Sequence, residues 1–230
     1  MSRSRILLLA GLATLPLAAG SLQGRVLLLE RDGRPRASLQ DCAAFLEPLG
    51  STTALPPPSL VTIETRDKRF VPRVAITRPG GEVAFPNQDR ILHNVFSITP
   101  GNAFDTGLYG RARSEKAKVR QTGLVKVYCN VHHDMNAFLW VVETPWAQVL
   151  DGPLAFDRVP PGSYRLRLWH PETGEKTWPV AIGAGVTKGE WTLQVSQPGL
   201  EVHKNKFGKD YPKTKDRYDS SYQDRLAPAL

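Results

Sequence analysis

Cysteine and methionine are nearly absent from this chain, with two of each in 230 residues: Cys42 and Cys129, Met1 and Met135. Two cysteines in an exported chain invite a single Cys42–Cys129 disulfide as the default. A sustained helical period is also missing, which leaves an all-β chain as the reading. Long apolar runs are limited to "ILLLAGLATLPL", preceded by Arg3 and Arg5 and followed by "AAGS". That arrangement is a secretory signal peptide over residues 1–20. The run is short for a membrane span, and no cysteine follows "LAAG" to accept a lipid. The mature chain is therefore expected to be periplasmic or otherwise exported, without a membrane span. It would begin near Gly20 or Ser21 and keep about 210 residues, enough for one large or two small domains. Recognition-helix signatures and interleaved basic and aromatic surfaces are lacking too, so nucleic acid is not an expected partner. Losing Arg3 and Arg5 with the leader takes the formal charge from +8 to +6, a balance that concerns solubility and protein partners.

What is present is β-pattern. Short apolar or alternating runs recur as "RVLLLE", "AAFLE", "LVTIET", "RVAIT", "EVAFPN", "NVFSI", "AKVRQ", "LVKVYC", "AFLWVVE", "SYRLRLW", "TWPVAI" and "EWTLQV", each read as a strand. Between them lie "RDGRP", "RPGG", "TPGN", "PPG" and "ETGE", which supply turn chemistry. A short helical turn is allowed in "SLQDCAAFLEPL", but two β-sandwiches account better for the whole. The prolines of "TTALPPPS" hold an extended linker. From Gln197 onward the charged, apolar-poor stretch, the tail over 199–230, reads as an arm or a disordered tail.

One stretch, "VYCNVHHDM" over 127–135, places a thiol, two imidazoles and a thioether within nine residues at a strand end. Upstream, "PNQDRILHNVF" adds His93. Two imidazoles, a thiolate and a weak thioether are the donors that select copper in a trigonal site with a long axial bond. The thioether tolerates both Cu(I) and Cu(II), so little rearrangement accompanies electron transfer. A tight loop turns Cys129, His132 and Met135 toward one point, with His93 arriving from a neighbouring strand. Other readings stay open beside this one. Cys129 could pair with Cys42, Met135 could fill a core gap, His93 could be an ordinary hydrogen-bonded histidine, and Cys129 with His132 could form a nucleophile and base that lack an orienting third group. His133 reads as solvated. His170 and His203 have no partner pattern.

These residues resemble the cupredoxins, the blue copper proteins of the amicyanin and plastocyanin kind; the C-x2-H-x2-M loop looks most like that of amicyanin. The resemblance runs from Ser59 to Glu143 through "RFVPRVAITRPGGEVAFPNQD", "HNVF", "FDTG" and "VYCNVHHDM". It implies a Greek-key β-sandwich with His93, Cys129 and His132 as equatorial copper ligands and Met135 as the axial one. It also implies that Asn94 ties the two ligand loops together and supports the Cys129 sulfur, and that the edge of the His132 ring reaches the surface. His133 and Asp134 depart from the proline or apolar residues common at those positions.

The flanks resemble the two halves of a carboxypeptidase regulatory-like (transthyretin-like) sandwich: "GRVLLLERDGRPRASLQDCAAFLEP" and "AQVLDGPLAFDRVPPGSYRLRLWHPETGEKTWPVAI". The expected organisation is a cupredoxin domain over 59–143, inserted in or next to a second small sandwich built from 22–50 and 144–198. Similar cupredoxin-containing chains are associated with methylamine utilisation. The function implied is a non-enzymatic carrier of single electrons, with one type 1 copper per chain and a cytochrome c or periplasmic dehydrogenase as partner. The alternative is a module for copper storage, delivery or sensing.

Overall fold

The computed structural model describes residues 19–50, 54–196 and 203–211. The expected leader falls outside them up to residue 18, and so does the expected tail except for 203–211. Among the described residues there is no α-helix, and no helix long and apolar enough to cross a membrane.

The strands are β1 (Gly20–Leu29), β2 (Cys42–Pro48), β3 (Val61–Thr62), β4 (Glu64–Arg66), β5 (Arg69–Val71), β6 (Val74–Thr77), β7 (Glu82–Pro86), β8 (Val95–Ser97) and β9 (Phe104–Asp105). They continue with β10 (Ser114–Lys118), β11 (Gly123–Cys129), β12 (Asn136–Val141), β13 (Trp146–Leu150), β14 (Leu154–Val159), β15 (Gly162–His170), β16 (Gly174–Ile182) and β17 (Val186–Gln194). "SLQDCAAFLEPL" contributes strand β2 rather than a helical turn.

Four main sheets result, in the orders β14-β1-β17, β13-β2-β15-β16, β6-β12-β11-β8-β9 and β10-β7-β3, with β4-β5 as a separate hairpin. Three apolar layers join these sheets. Leu22, Leu28, Cys42, Leu46, Leu166 and Leu193 lie between the first two sheets. Val83, Phe85, Val95, Val127, Cys129 and Leu139 lie between the last two. Ala43, Phe45, Val74, Phe138, Trp140 and Trp169 lie between the second and third.

Side chains alternate across a strand, so β2 sends Cys42, Ala44 and Leu46 to one layer and Ala43 and Phe45 to the other. Strand β12 does the same, with Ala137 and Leu139 on one side and Phe138 and Trp140 on the other. Both strands are interior to their sheets. Their near-continuous apolar sequences follow from burial on both faces.

Strands β1 and β2, which precede residue 50, pair only with strands that follow residue 145. β1 is antiparallel to β14 and parallel to β17, while β2 lies between β13 and β15. The parallel β1–β17 pair brings Gly24 opposite Gly189, and the Trp191 ring lies over both. A Cβ at either position would come within 2.4 Å of that ring.

Candidate metal centre

Strand register brings Cys129 and His93 together. Cys129 ends β11 opposite Val95 of β8. His93 lies two residues before Val95, on the same face by strand alternation, and is tied by backbone bonds to Tyr109. The chain then turns. Met135 N–H donates to the His132 carbonyl at 3.2 Å, and Cys129 N–H donates to the Met135 carbonyl at 3.2 Å. Asn130 N–H donates to the Asn94 carbonyl at 2.8 Å, which joins the loop after β11 to the segment carrying His93.

The Cys129 Sγ lies 3.6 Å from His93 Nδ1 and 3.6 Å from His132 Nδ1, and the three donor atoms fall within 4.8 Å of one another. Two metal–ligand bonds of about 2.0–2.3 Å meeting at a trigonal angle span roughly 3.7 Å, so the spacing fits one shared ion. All three residues are buried, and so is Met135, whose side chain belongs to the same apolar layer as Cys129. A thiol, two imidazoles and a neighbouring thioether suit copper better than a harder ion. Cys129 and Cys42 lie in different apolar layers and are not joined, so the disulfide expected by default does not form.

His93 is oriented from behind. Its Nε2 lies 2.8 Å from Asp89 Oδ2; a ring protonated on Nε2 donates there and leaves Nδ1 with a lone pair toward Cys129. Burial lowers the His93 pKa and outweighs the opposing pull of Asp89, which favours the neutral, ligating ring. Asp89 is itself held by the β4–β5 turn, where Asp67 and Lys68 both have positive φ, at 53° and 55°. A two-residue hairpin loop of the tight type needs positive φ at both central residues, and here both of their N–H groups are used: Asp67 N–H donates to Asp89 Oδ1 at 2.7 Å and Lys68 N–H to Oδ2 at 3.0 Å. Burial alone would raise the Asp89 pKa, but the bonds from Lys68, His93 and Asp67 bring it below the ordinary carboxylate range.

The other expected positions fall as follows. Asn94 links the loops through its backbone, while its side-chain amide donates to Asp105 Oδ1 and to the Gly107 carbonyl; the Cys129 sulfur accepts from Val131 N–H at 3.4 Å. The edge of His132 does not reach solvent: the residue is 5% exposed and its Nε2 is covered. His133 is exposed and paired with Asp134. His170 is a buried structural histidine between the Gln40 carbonyl and Glu172 N–H.

The sequence pattern assigned no role of their own to Asp89 or Asp105. The spacing of Asp89, four residues before His93, was the available signal. No sequence signal marked His203, Lys206 or Tyr211, which pack against the ligand loop.

No family model matches the chain, and no curated protein does. Among solved structures, a copper-containing nitrite reductase from Thermus scotoductus SA-01 aligns at 23% identity and a TM-score of 0.35. The alignment covers 41% of this chain and 24% of the reductase, so the chain spans about a quarter of that protein's length. Amicyanin from Paracoccus versutus aligns at 18% identity and a TM-score of 0.32, covering 36% of this chain and 80% of amicyanin. A purple cupredoxin from Nitrosopumilus maritimus aligns at 19% identity and a TM-score of 0.33, covering 36% of this chain and 99% of the other.

Proposed function

We propose that this is an exported type 1 copper protein that carries single electrons between periplasmic redox partners, such as a cytochrome c or a dehydrogenase, and turns over no substrate. The observation that carries the reading is the buried convergence of His93 Nδ1, Cys129 Sγ and His132 Nδ1 within 4.8 Å. In this reading His93, Cys129 and His132 would hold copper, Met135 would add a weaker thioether donor, and Asn94 would fasten the two loops. Bound copper supplies a one-electron Cu(I)/Cu(II) couple. The chain's own part is to exclude water, to keep His93 neutral and aimed through Asp89, and to leave the ligands little freedom to rearrange. The ligand-bearing module spans 59–143 and is inserted into a carboxypeptidase regulatory-like sandwich formed by 22–50 and 144–198, as the pairing of β1 and β2 with strands after residue 145 supports.

Adding Cu(II) to the purified protein should give an intense visible absorption from thiolate-to-copper charge transfer. Cys129→Ser should abolish it and Cys42→Ser should leave it. Stoichiometric copper uptake with no strong visible band would sink the type 1 assignment. The covered Nε2 of His132 favours a second reading, copper storage or delivery without fast electron flow. Stopped-flow oxidation of the reduced protein, run beside Cu(I) transfer to a chelator, separates the two. Sluggish electron exchange with ready Cu(I) release supports delivery.

A further inference from the structure

Residues 203–211 belong to none of the sheets, yet they are docked on the outer side of the ligand loop. Alternation along β11 sends Val127 and Cys129 into the apolar layer and leaves Tyr128 facing the other way. The His203 ring stacks on Tyr128, with centroids 3.9 Å apart and planes 23° apart. Tyr211 meets His203 edge-on at 5.3 Å, and its hydroxyl donates to the Cys129 carbonyl at 2.7 Å. Lys206 N–H donates to Asn130 Oδ1 at 3.0 Å, and its ammonium reaches Asp105 Oδ2 at 2.5 Å. The other oxygen of Asp105 accepts from Asn94, next to His93.

Between these anchors the chain makes a closed turn. Asn205 Oδ1 accepts from Phe207 and Lys209 N–H, Asn205 N–H donates to the Lys209 carbonyl, and Gly208 N–H donates back to the Asn205 carbonyl. Gly208 has φ +73°, a conformation glycine adopts without penalty. The segment is thus a preorganised piece, gripping Tyr128, Cys129 and Asn130 just before His132.

We propose that Tyr211 is a positioning residue of the candidate copper centre, and that His203–Tyr211 is a strap that holds the ligand loop closed over Cys129 and His132. Both peptide groups of Cys129 are then fixed, the N–H by Met135 within the loop and the C=O by Tyr211 from outside it. The copper assignment enters only the spectroscopic part of the test.

In the metal-free, full-length protein, alkylation by iodoacetamide at fixed pH is followed at each cysteine by peptide mass spectrometry. Cys42, buried in the other sandwich, is the internal control. Removing one ordinary hydrogen bond raises the population of a locally opened loop about fivefold. Tyr211→Phe should therefore speed Cys129 alkylation about fivefold with Cys42 unchanged, and Lys206→Met should act in the same direction. In the copper-loaded protein, Tyr211→Phe should shift the visible band. Equal Cys129 rates in wild type, Tyr211→Phe and Tyr211→Ala overturn the proposal, as does a parallel rise at Cys42, which signals general loosening. If the wild type takes up no copper but the Cys129 rates still separate, the strap stands and the copper reading falls.

Discussion

Replacing Asp89 by asparagine would leave an oxygen beside His93 but remove the charge that collects Asp67 N–H, Lys68 N–H and His93 Nε2 at one carboxylate. Groups behind a ligating histidine typically matter by 10–100-fold in metal affinity. On the copper reading, Asp89→Asn should weaken binding by roughly that factor, measured by competition with a chelator; unchanged affinity would make Asp89 a purely structural group. On the same reading Met135→Gln should shift the reduction potential, because a weak thioether donor would tune the couple, and protein-film voltammetry reads the shift directly. The convergence of His93, Cys129 and His132 with Met135 nearby was legible in the sequence because sulfur and imidazole chemistry is rare in this chain and clustered. Asp89 was not, because a carboxylate beside an arginine in "PNQDR" looks like surface until the β4–β5 turn is seen to close on it.

At the scale of elements, the "VPPGSY" stretch enters β15 through a corner in which the Tyr164 hydroxyl donates to the Pro160 carbonyl at 2.7 Å. Tyr164→Phe deletes that bond and little else, so it should cost about 1 kcal/mol, seen as a lower urea midpoint at unchanged slope. Arg36, after β1, bridges Glu30 and Glu172 beyond β15. The hydrogen bond from Arg36 is the main reason the Glu172 pKa lies below its ordinary 4.5. A depressed carboxylate stabilises above its unfolded pKa, and that contribution is lost as pH falls through the lower folded value. Arg36→Met should accordingly flatten the fall in stability below about pH 4.5; identical acid-unfolding profiles would refute this. Alternating patterns located most of the strands, but not β5, β9, β13 and β14. Of these, β5 and β9 last three and two residues and exist through pairing with the neighbouring strands β4 and β8 rather than through their own period.

Over the whole molecule, the two sandwiches share an aromatic layer. Phe45 lies 5.1 Å from Trp140, and Trp169 packs edge-on against Trp140 and Phe138, with the Arg167 guanidinium over Phe45 and Trp140. Trp169→Ala should cost about 3–5 kcal/mol and destabilise both halves, so near-UV circular dichroism and the visible copper band should be lost in one transition. Two separate transitions in the wild type would show that the layer does not couple them. Strand chemistry, turn positions and the donor cluster were determined by the amino-acid sequence alone, because alternation, turn residues and metal-ligating side chains are local properties. Only the tertiary structure decided that Cys42 and Cys129 lie in different layers, that the edge of His132 is covered, that Asp89 faces inward, and that His203 and Tyr211 return to the ligand loop. Each of these depends on contacts between segments far apart in the chain, which no local pattern encodes.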